Sequence, residues 1–592
     1  MAIPPGFVYI GHRLPQLLAG PLTAYFLIVL LGREISTTLT ITSVLLSGPL
    51  LFTILLTYDD IKNYIAACSS GAQLPPHIRD YSLGGIWTIY KDIQAEKSGY
   101  IADGIEETVE YCGGYVFNVR LLFQNRMITL EPEHLKTILA SGFEKFEKGL
   151  EFREVFNSLL GSGVFAADGD LWKFHRSMTR PFFTKDRISD FDNFEHHAED
   201  AICQLKLRLR EGYPVDIQDM AARFTLDSAT EFLFGNDVRS LASRIPYPAS
   251  SARASPFLSD SEESIELDPA ARFAKAFSEA QTVSLSRARL GLHWPLAEFW
   301  TDRIVAPMRV VHDMIDPIVA EAIERKHANA EKKAGHEGNT LLEELVNSTE
   351  DPILLRDEIM SLLVAGRDTT ASTLTFVVYM LSEYPEVLRR LREEVLSKVG
   401  PNKRPTYDDI REMKYLRAVI NETLRLYPVV PFNVRMSKQA TTWPPVKPGG
   451  KPFYIPANTR VAYSVMAMQR RKDLWGPDAL EFDPDRFLDN RLQKYLTRNP
   501  FIFLPFNAGP RICLGQQFAY NEASFFLIRF LQNFSSITLA MDAQPPESHA
   551  PKHWASEEGR KGKEKVKRQA HLTIYMQGGL WVRMDEADES KS

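Results

Sequence analysis

Residues 506–515 read Phe506-Asn507-Ala508-Gly509-Pro510-Arg511-Ile512-Cys513-Leu514-Gly515. Ten residues hold an aromatic ring, two glycines, a proline, an arginine and one cysteine. A helical run, Gln516–Leu531, follows. This places Cys513 just before a helix N-terminus, where backbone N–H groups and the helix dipole favour a thiolate. Gly509 and Gly515 would let backbone approach a flat ligand closely. Arg511 would pair with an anionic group on that ligand. A thiolate in such a loop is suited to be an axial iron ligand that favours O–O cleavage. A lone cysteine in a turn would be read as structural; the ten-residue pattern decides against that.

The rest of the chain sets bounds on this reading. Its 592 residues are 44% hydrophobic and 24% charged, which fits a large globular core and excludes a disordered, collagenous or coiled-coil chain. With 69 Lys+Arg against 75 Asp+Glu, the net charge of −6 carries no nucleic-acid footprint. The four cysteines, at 68, 112, 203 and 513, show no CxxC spacing, so no disulfide framework or zinc site is expected and a reducing compartment fits. Cys68, Cys112 and Cys203 match no motif and are read as structural. No solenoid or propeller period is present.

Two uncharged apolar runs open the chain, residues 14–31 and 38–56, separated by a polar stretch with Arg33 and Glu34. Each is near the minimum for a spanning helix. Their length and the lack of a cleavage site argue against a signal peptide, leaving one or two retained membrane helices. With two spans, Arg13 and Lys62 would face the cytosol, although Arg33 opposes this. Pro75-Pro76 reads as a stiff spacer. We therefore expect an anchor over residues 1–74 and a catalytic domain over 75–592. Two polar insertions interrupt the domain, near 239–269 and 542–571. The second contains Arg560, Lys561, Lys563, Lys565, Lys567 and Arg568, read as a solvated loop. Asp585–Ser592 reads as an acidic tail. Helical patterns cover 352–383, 385–399 and 415–427; strand-like runs cover 115–130, 453–465 and 572–584. The expected class is mainly α with small β-sheets.

The segment 506–515 matches, at every specified position, the haem-binding signature F-x-x-G-x-R-x-C-x-G. The chain resembles the cytochrome P450 family, and three further motifs follow that family's order. Ala365-Gly366-Arg367-Asp368-Thr369-Thr370 lies in a long apolar helix bounded by Asp351-Pro352 and Pro385, about 45–50 Å long. It resembles the oxygen-activation site, which implies that Asp368 and Thr369 relay protons through water to the reacting dioxygen. Glu422-x-x-Arg425 and the segment Phe482–Phe487 imply a buried triad of Glu422, Arg425 and Arg486, with Asp485 where glutamate is more usual. Trp172-x-x-x-Arg176 implies contact with a haem propionate, and Arg435 and Arg511 are candidates for the same task.

The resemblance implies the cytochrome P450 fold, haem b held by Cys513, and NADPH electrons delivered by a separate NADPH-cytochrome P450 reductase, since no flavin-type or GxGxxG segment is seen. Lys173 and Arg180 are candidates for that contact. It implies an endoplasmic reticulum membrane location with a cytosolic catalytic domain, and no nucleic-acid partner. AGRDTT and FNAGPRICLGQQFA look like the fungal and plant branch that hydroxylates fatty acids and alkanes. The expected reaction is hydroxylation at or near the terminus of a long-chain apolar substrate. The alternatives are a broad xenobiotic or polycyclic aromatic hydroxylase, a haem-thiolate isomerase that does not use O2, and a non-enzymatic haem sensor or lipid carrier. The intact Asp368-Thr369-Thr370 argues against the last two. Candidate pocket walls are Phe165, Val364, Val430, Pro431, Val434 and Gly578–Leu580.

Overall fold

The structure, a computed structural model, describes residues 3–30, 36–184, 191–251, 253, 269–331 and 340–587. The linker residues Arg33 and Glu34, most of the 239–269 insertion (252 and 254–268) and the tail beyond 587 lie outside the described residues.

The central element is the helix Pro352–Glu383. Asp351 caps it, its carboxylate accepting the N–H groups of Ile353 and Leu354 at 2.9 and 3.3 Å, and Pro352 occupies the first turn. Pro385 opens the next helix, Pro385–Lys398. From Leu374 to Leu381 the apolar side chains are fully buried, so the helix is covered on all sides. Helices Ile217–Phe234, Lys414–Leu426 and Gln516–Asn533 share its core.

Among the described residues there are twelve short strands. They are β1 (Val116–Leu121), β2 (Gln124–Thr129), β3 (Phe146–Glu147), β4 (Val215–Asp216), β5 (Phe432–Ser437), β6 (Thr441–Trp443), β7 (Phe453–Ile455), β8 (Arg460–Ser464), β9 (Phe534–Leu539), β10 (Arg568–Ala570), β11 (Ile574–Met576) and β12 (Trp581–Glu586). The largest sheet runs β1-β2-β8-β5-β3, with β2 and β8 parallel. A second runs β4-β12-β9, and β6-β7 and β10-β11 are hairpins. The result is a helical body with small peripheral sheets, as the patterning implies.

At the N-terminus, Pro5–Leu30 and Thr37–Ser69 are two helices long and apolar enough to cross a membrane. They lie against each other. A Cβ on Gly20 would stand 2.9 Å from the Ser47 carbonyl oxygen, so a small residue is needed at that crossing.

Several expectations are corrected. The first helix starts at Pro5, nine residues before the apolar run, because its first turn packs on the body: Gly6 N–H donates to Phe299 C=O at 3.0 Å and Tyr9 bonds His293 at 2.5 Å. The Pro75-Pro76 segment is no free spacer, since Pro76 C=O accepts Asn118 N–H at 2.7 Å. Residues 542–571 are not a solvated loop. Trp554, Arg560, Glu564 and Arg568 are buried, and Glu564 bridges the two arginines. Asp585 and Glu586 belong to β12, with Glu586 paired to Arg210 at 2.7 Å. Cys68 and Cys203 are exposed and add nothing to the core.

Candidate active site

The turn that carries Cys513 is tightly specified. Gly509 has φ of 69°, and a Cβ there would come within 1.7 Å of the Leu139 carbonyl oxygen. Gly509 is therefore required for packing of the loop on Leu139, and not for approach to a flat ligand. Cys513 N–H donates to Phe506 C=O at 3.0 Å, closing the loop before the helix Gln516–Asn533.

Cys513 opens into one cavity of about 1040 Å³. Burial pushes its thiol up, while the Gly515 N–H and the Arg176 charge draw it down. Trp172, Arg176, Arg435, Phe506, Arg511 and Gly515 line the same cavity. The helix Gly169–Thr179 supplies Trp172 and Arg176 one turn apart, and Arg176 donates to Ile512 C=O at 2.5 Å. Arg511 stacks over Trp172 at 4.7 Å and pairs with Asp168 at 2.7 Å. Asp168 precedes the Trp172 helix, yet its carboxylate does not cap it. It instead accepts the N–H groups of Lys148 and Gly149, each at 2.9 Å.

Sequence reading missed Lys148, Asp168 and Glu522. Lys148 lines the cavity and is half-buried; burial first, then Arg435 and Arg511, push its ammonium well below its ordinary value. Arg511 is pushed down to about 10 by burial, then by Arg435, against the pull of Asp168. Three arginines, Arg176, Arg435 and Arg511, thus gather with Lys148 on the cavity wall, and among the described residues Arg511 alone of these is in ion-pair contact with a carboxylate, Asp168. A flat cofactor carrying two carboxylates relieves that surplus, and one with an iron atom meets Cys513. The volume lies at the upper end of the range of ligand pockets, about 300–1,000 Å³, which suits a large cofactor together with a substrate. The donor set and the charge balance fit haem.

On the central helix, Thr369 and Thr370 line the cavity. Thr369 Oγ1 donates to Ala365 C=O at 2.6 Å, so its oxygen lone pairs remain available to a water. The buried carboxyl of Glu522 accepts Ser228 Oγ at 2.7 Å, and the nearby Thr370 hydroxyl helps to draw its titration down. Asp368 is placed differently from the expectation. It turns out of the cavity wall, accepting Gln281 Nε2 at 2.7 Å and pairing with Arg367 at 3.1 Å. A buried carboxylate needs such partners.

Glu422, Arg425 and Arg486 come together as expected, all fully buried. Arg425 forks onto Glu422 at 2.6 and 2.7 Å, and Arg486 reaches it at 3.3 Å. Arg425 also donates to the carbonyls of Gln469 and Ala479, tying the helix to the segment before the cysteine loop. Asp485 lies outside the triad, paired with Arg390 at 2.8 Å.

Phe165, Val364, Val430, Pro431 and Val434 line the cavity. Gly578–Leu580 do not. Leu580 is fully buried, and a Cβ on Gly579 would strike Asp216. The tip of the β10-β11 hairpin, residues 568–573, reaches the cavity in their place.

A helical body with a cysteine before its last long helix, and a cationic cavity over that cysteine, defines a haem-thiolate protein. The family model for Cytochrome P450 matches residues 85–565. The chain is 35% identical over 495 residues to Cytochrome P450 monooxygenase g430 of Fusarium sp, covering 81% of this chain and 83% of that one. It is 38% identical over 445 residues to Cytochrome P450 52A9 of Candida maltosa, covering 73% and 80%. The solved cytochrome P450DA heme domain superposes with a TM-score of 0.65 at 19% identity, over 88% of this chain and 99% of that one, which shows the fold. The chain belongs to the cytochrome P450 family, and its activity is that of a haem-thiolate monooxygenase.

Proposed function

We propose that this protein inserts one oxygen atom of O2 at or near the terminus of long-chain fatty acids or alkanes, at the endoplasmic reticulum membrane, with the catalytic domain in the cytosol. The observation that carries the reading is the cavity of about 1040 Å³ over Cys513. It joins Cys513 and its ring of cations to an apolar wall that includes Phe165, Val364, Val430 and Val434. The motifs AGRDTT and FNAGPRICLGQQFA look like the fungal alkane and fatty-acid branch, and relatives numbered 52 in Candida maltosa, Candida apicola and Debaryomyces hansenii support that placement.

Haem held through a thiolate supplies the reductive activation of O2. The residues of this chain do the rest. Cys513 donates the thiolate. Arg176, Arg435, Arg511 and Lys148 would hold the carboxylates of the cofactor, with Trp172 on the same cavity wall. Thr369 would hold a water that passes a proton into the cavity, and the relay role assigned to Asp368 requires its carboxylate to leave Gln281 and Arg367. A terminal C–H bond is stronger than one a carbon further in, so the cavity wins by geometry, holding the chain end near the reacting centre.

Electrons reach the site from NADPH through a separate membrane-bound reductase, and Lys173 and Arg180, exposed on the Trp172 helix and just after it, are candidates for that contact. The two N-terminal helices, long and apolar enough to cross a membrane, would tether the enzyme to the bilayer, where apolar substrates concentrate.

The test reconstitutes the enzyme with reductase and offers dodecanoic acid, an alkane and an aromatic hydrocarbon, locating the new oxygen by mass spectrometry. Terminal or near-terminal products from the linear chains are expected. Turnover of the aromatic alone would sink the linear-chain reading.

A further inference from the structure

The basic segment 542–571 reads as a solvated loop in sequence, yet it is built into the molecule at one particular place. Glu564 is fully buried and accepts the hydroxyls of Tyr427 at 2.7 Å and Tyr379 at 3.2 Å. Arg560 donates to Tyr427 at 2.7 Å. These contacts fix the segment on the central helix and on the end of the Glu422 helix.

From that fixed base the segment grips residues 99–103. Arg568 N–H donates to Gly99 C=O at 2.9 Å, and its guanidinium lies 4.7 Å over the Tyr100 ring. The buried Trp554 meets Tyr100 edge-on at 5.5 Å. Lys561 pairs with Asp103 at 3.2 Å. Gly99 is left-handed at φ 81°, and a Cβ there would stand 2.7 Å from the Lys567 side chain, so the two segments are in direct contact. Residues 100–103 are cavity wall, and so are 568–573, where the gripping segment ends.

We propose that residues 542–571 are a specificity brace: Trp554, Lys561 and Arg568 position Tyr100, and Tyr100 sets where along a linear substrate the oxygen lands. Most of a long chain lies away from the reacting carbon, so the wall it rests on fixes its register. If Tyr100 recedes, the chain slides by a carbon. Trp554 and Lys561 touch no substrate; they act through Tyr100 and Asp103. The proposal rests on the linear-chain reading above.

The test uses the full-length holoenzyme with reductase in lipid vesicles, and dodecanoic and hexadecanoic acids as probes. The terminal-to-subterminal product ratio is measured with kcat and KM. Lys561→Ala removes one partly buried ion pair and should shift the ratio and raise KM roughly two- to fivefold, with kcat held. Lys561→Arg should restore both. Tyr100→Ala should shift the ratio at least as far, and adding Lys561→Ala to it should change nothing more, because the two act through one ring. An unshifted ratio in Lys561→Ala overturns the brace. So does failure of Lys561→Arg to rescue, or additive effects in the double variant. If the wild-type enzyme oxidises neither acid, the linear-chain reading fails and takes this inference with it. If it oxidises both and Lys561→Ala leaves the products unchanged, the brace alone fails.

Discussion

Asp168 holds Arg511 at 2.7 Å while also accepting two backbone N–H groups, from Lys148 and Gly149, at 2.9 Å each. One carboxylate thus joins the cysteine loop, the Trp172 helix and the turn at Lys148. Both partners of the ion pair are nearly buried. Asp168→Ala leaves an enclosed guanidinium beside Lys148 and Arg435, and two N–H groups without acceptors. The expected loss is about 3–5 kcal/mol of stability, read by chemical denaturation of the holoenzyme. Asp168→Glu should recover part of it. A loss below about 1 kcal/mol, the range of a surface pair, would show that Asp168 is not the tie.

Glu422 bridges two fully buried arginines, Arg425 and Arg486, and is the carboxylate on which Arg425 forks. Glu422→Gln keeps the shape and removes the charge, leaving the buried Arg425 without its carboxylate while Arg486 keeps Asp478 at 2.7 Å. That change should cost about 3–5 kcal/mol, and the protein should accumulate without bound haem. The check is the haem-to-protein ratio after purification. A fully loaded, stable Glu422→Gln variant would remove the triad from any role in holding the cysteine loop.

Much of this site is written locally in the chain. The ten residues around Cys513, the Trp172–Arg176 spacing and the cap at Asp351 each lie within one turn or one helix, so spacing alone exposes them. The missed residues have no local signal. Asp168 sits where a helix cap is expected, and only the approach of Lys148 and Arg511 from distant segments diverts its carboxylate. Glu522 lies in an ordinary helical run, and its meaning comes from Ser228 and Thr370 on two other helices. The basic run at 560–568 misleads for the same reason. Its buried members, Arg560 and Arg568, share Glu564 and face tyrosines more than a hundred residues away. Gly509 has a right residue and a wrong reason, since Leu139 and not a ligand fills the space beside it.

Two substitutions separate the roles within the cavity. Cys513→Ser should abolish the thiolate-type band of the reduced, carbon-monoxide-bound spectrum, and survival of that band would refute the ligand assignment. Thr369→Ala should keep cofactor and substrate binding, because the hydroxyl anchors only to Ala365 C=O. It should divert NADPH to peroxide or water, since no hydroxyl then orders the proton-carrying water. Product formed per NADPH is the measurement. Unchanged coupling would count against Thr369.

Glu522 gives the chain a pH signature of its own. It is fully buried in the helix that follows Cys513. Burial raises its carboxyl from an ordinary 4.5 to about 7, against hydrogen bonds from Ser228 and Thr370 that pull it down. In the unfolded chain the same group titrates near about 4.3. Between those values the folded protein keeps the proton and the unfolded chain releases it. The stabilisation is therefore full below the unfolded value and is lost as pH rises towards 7, at about 1.4 kcal/mol per pH unit. Glu522→Gln preserves the side-chain shape and an oxygen for Ser228 and Thr370 but cannot titrate. Relative to wild type, this variant should gain roughly 3 kcal/mol between pH 4.5 and 7.5, with the difference levelling above that. Comparing the two by urea denaturation across pH 5 to 8 at fixed ionic strength isolates this carboxyl from every other titrating group they share. Parallel stability curves would mean that Glu522 is already ionised in the folded protein.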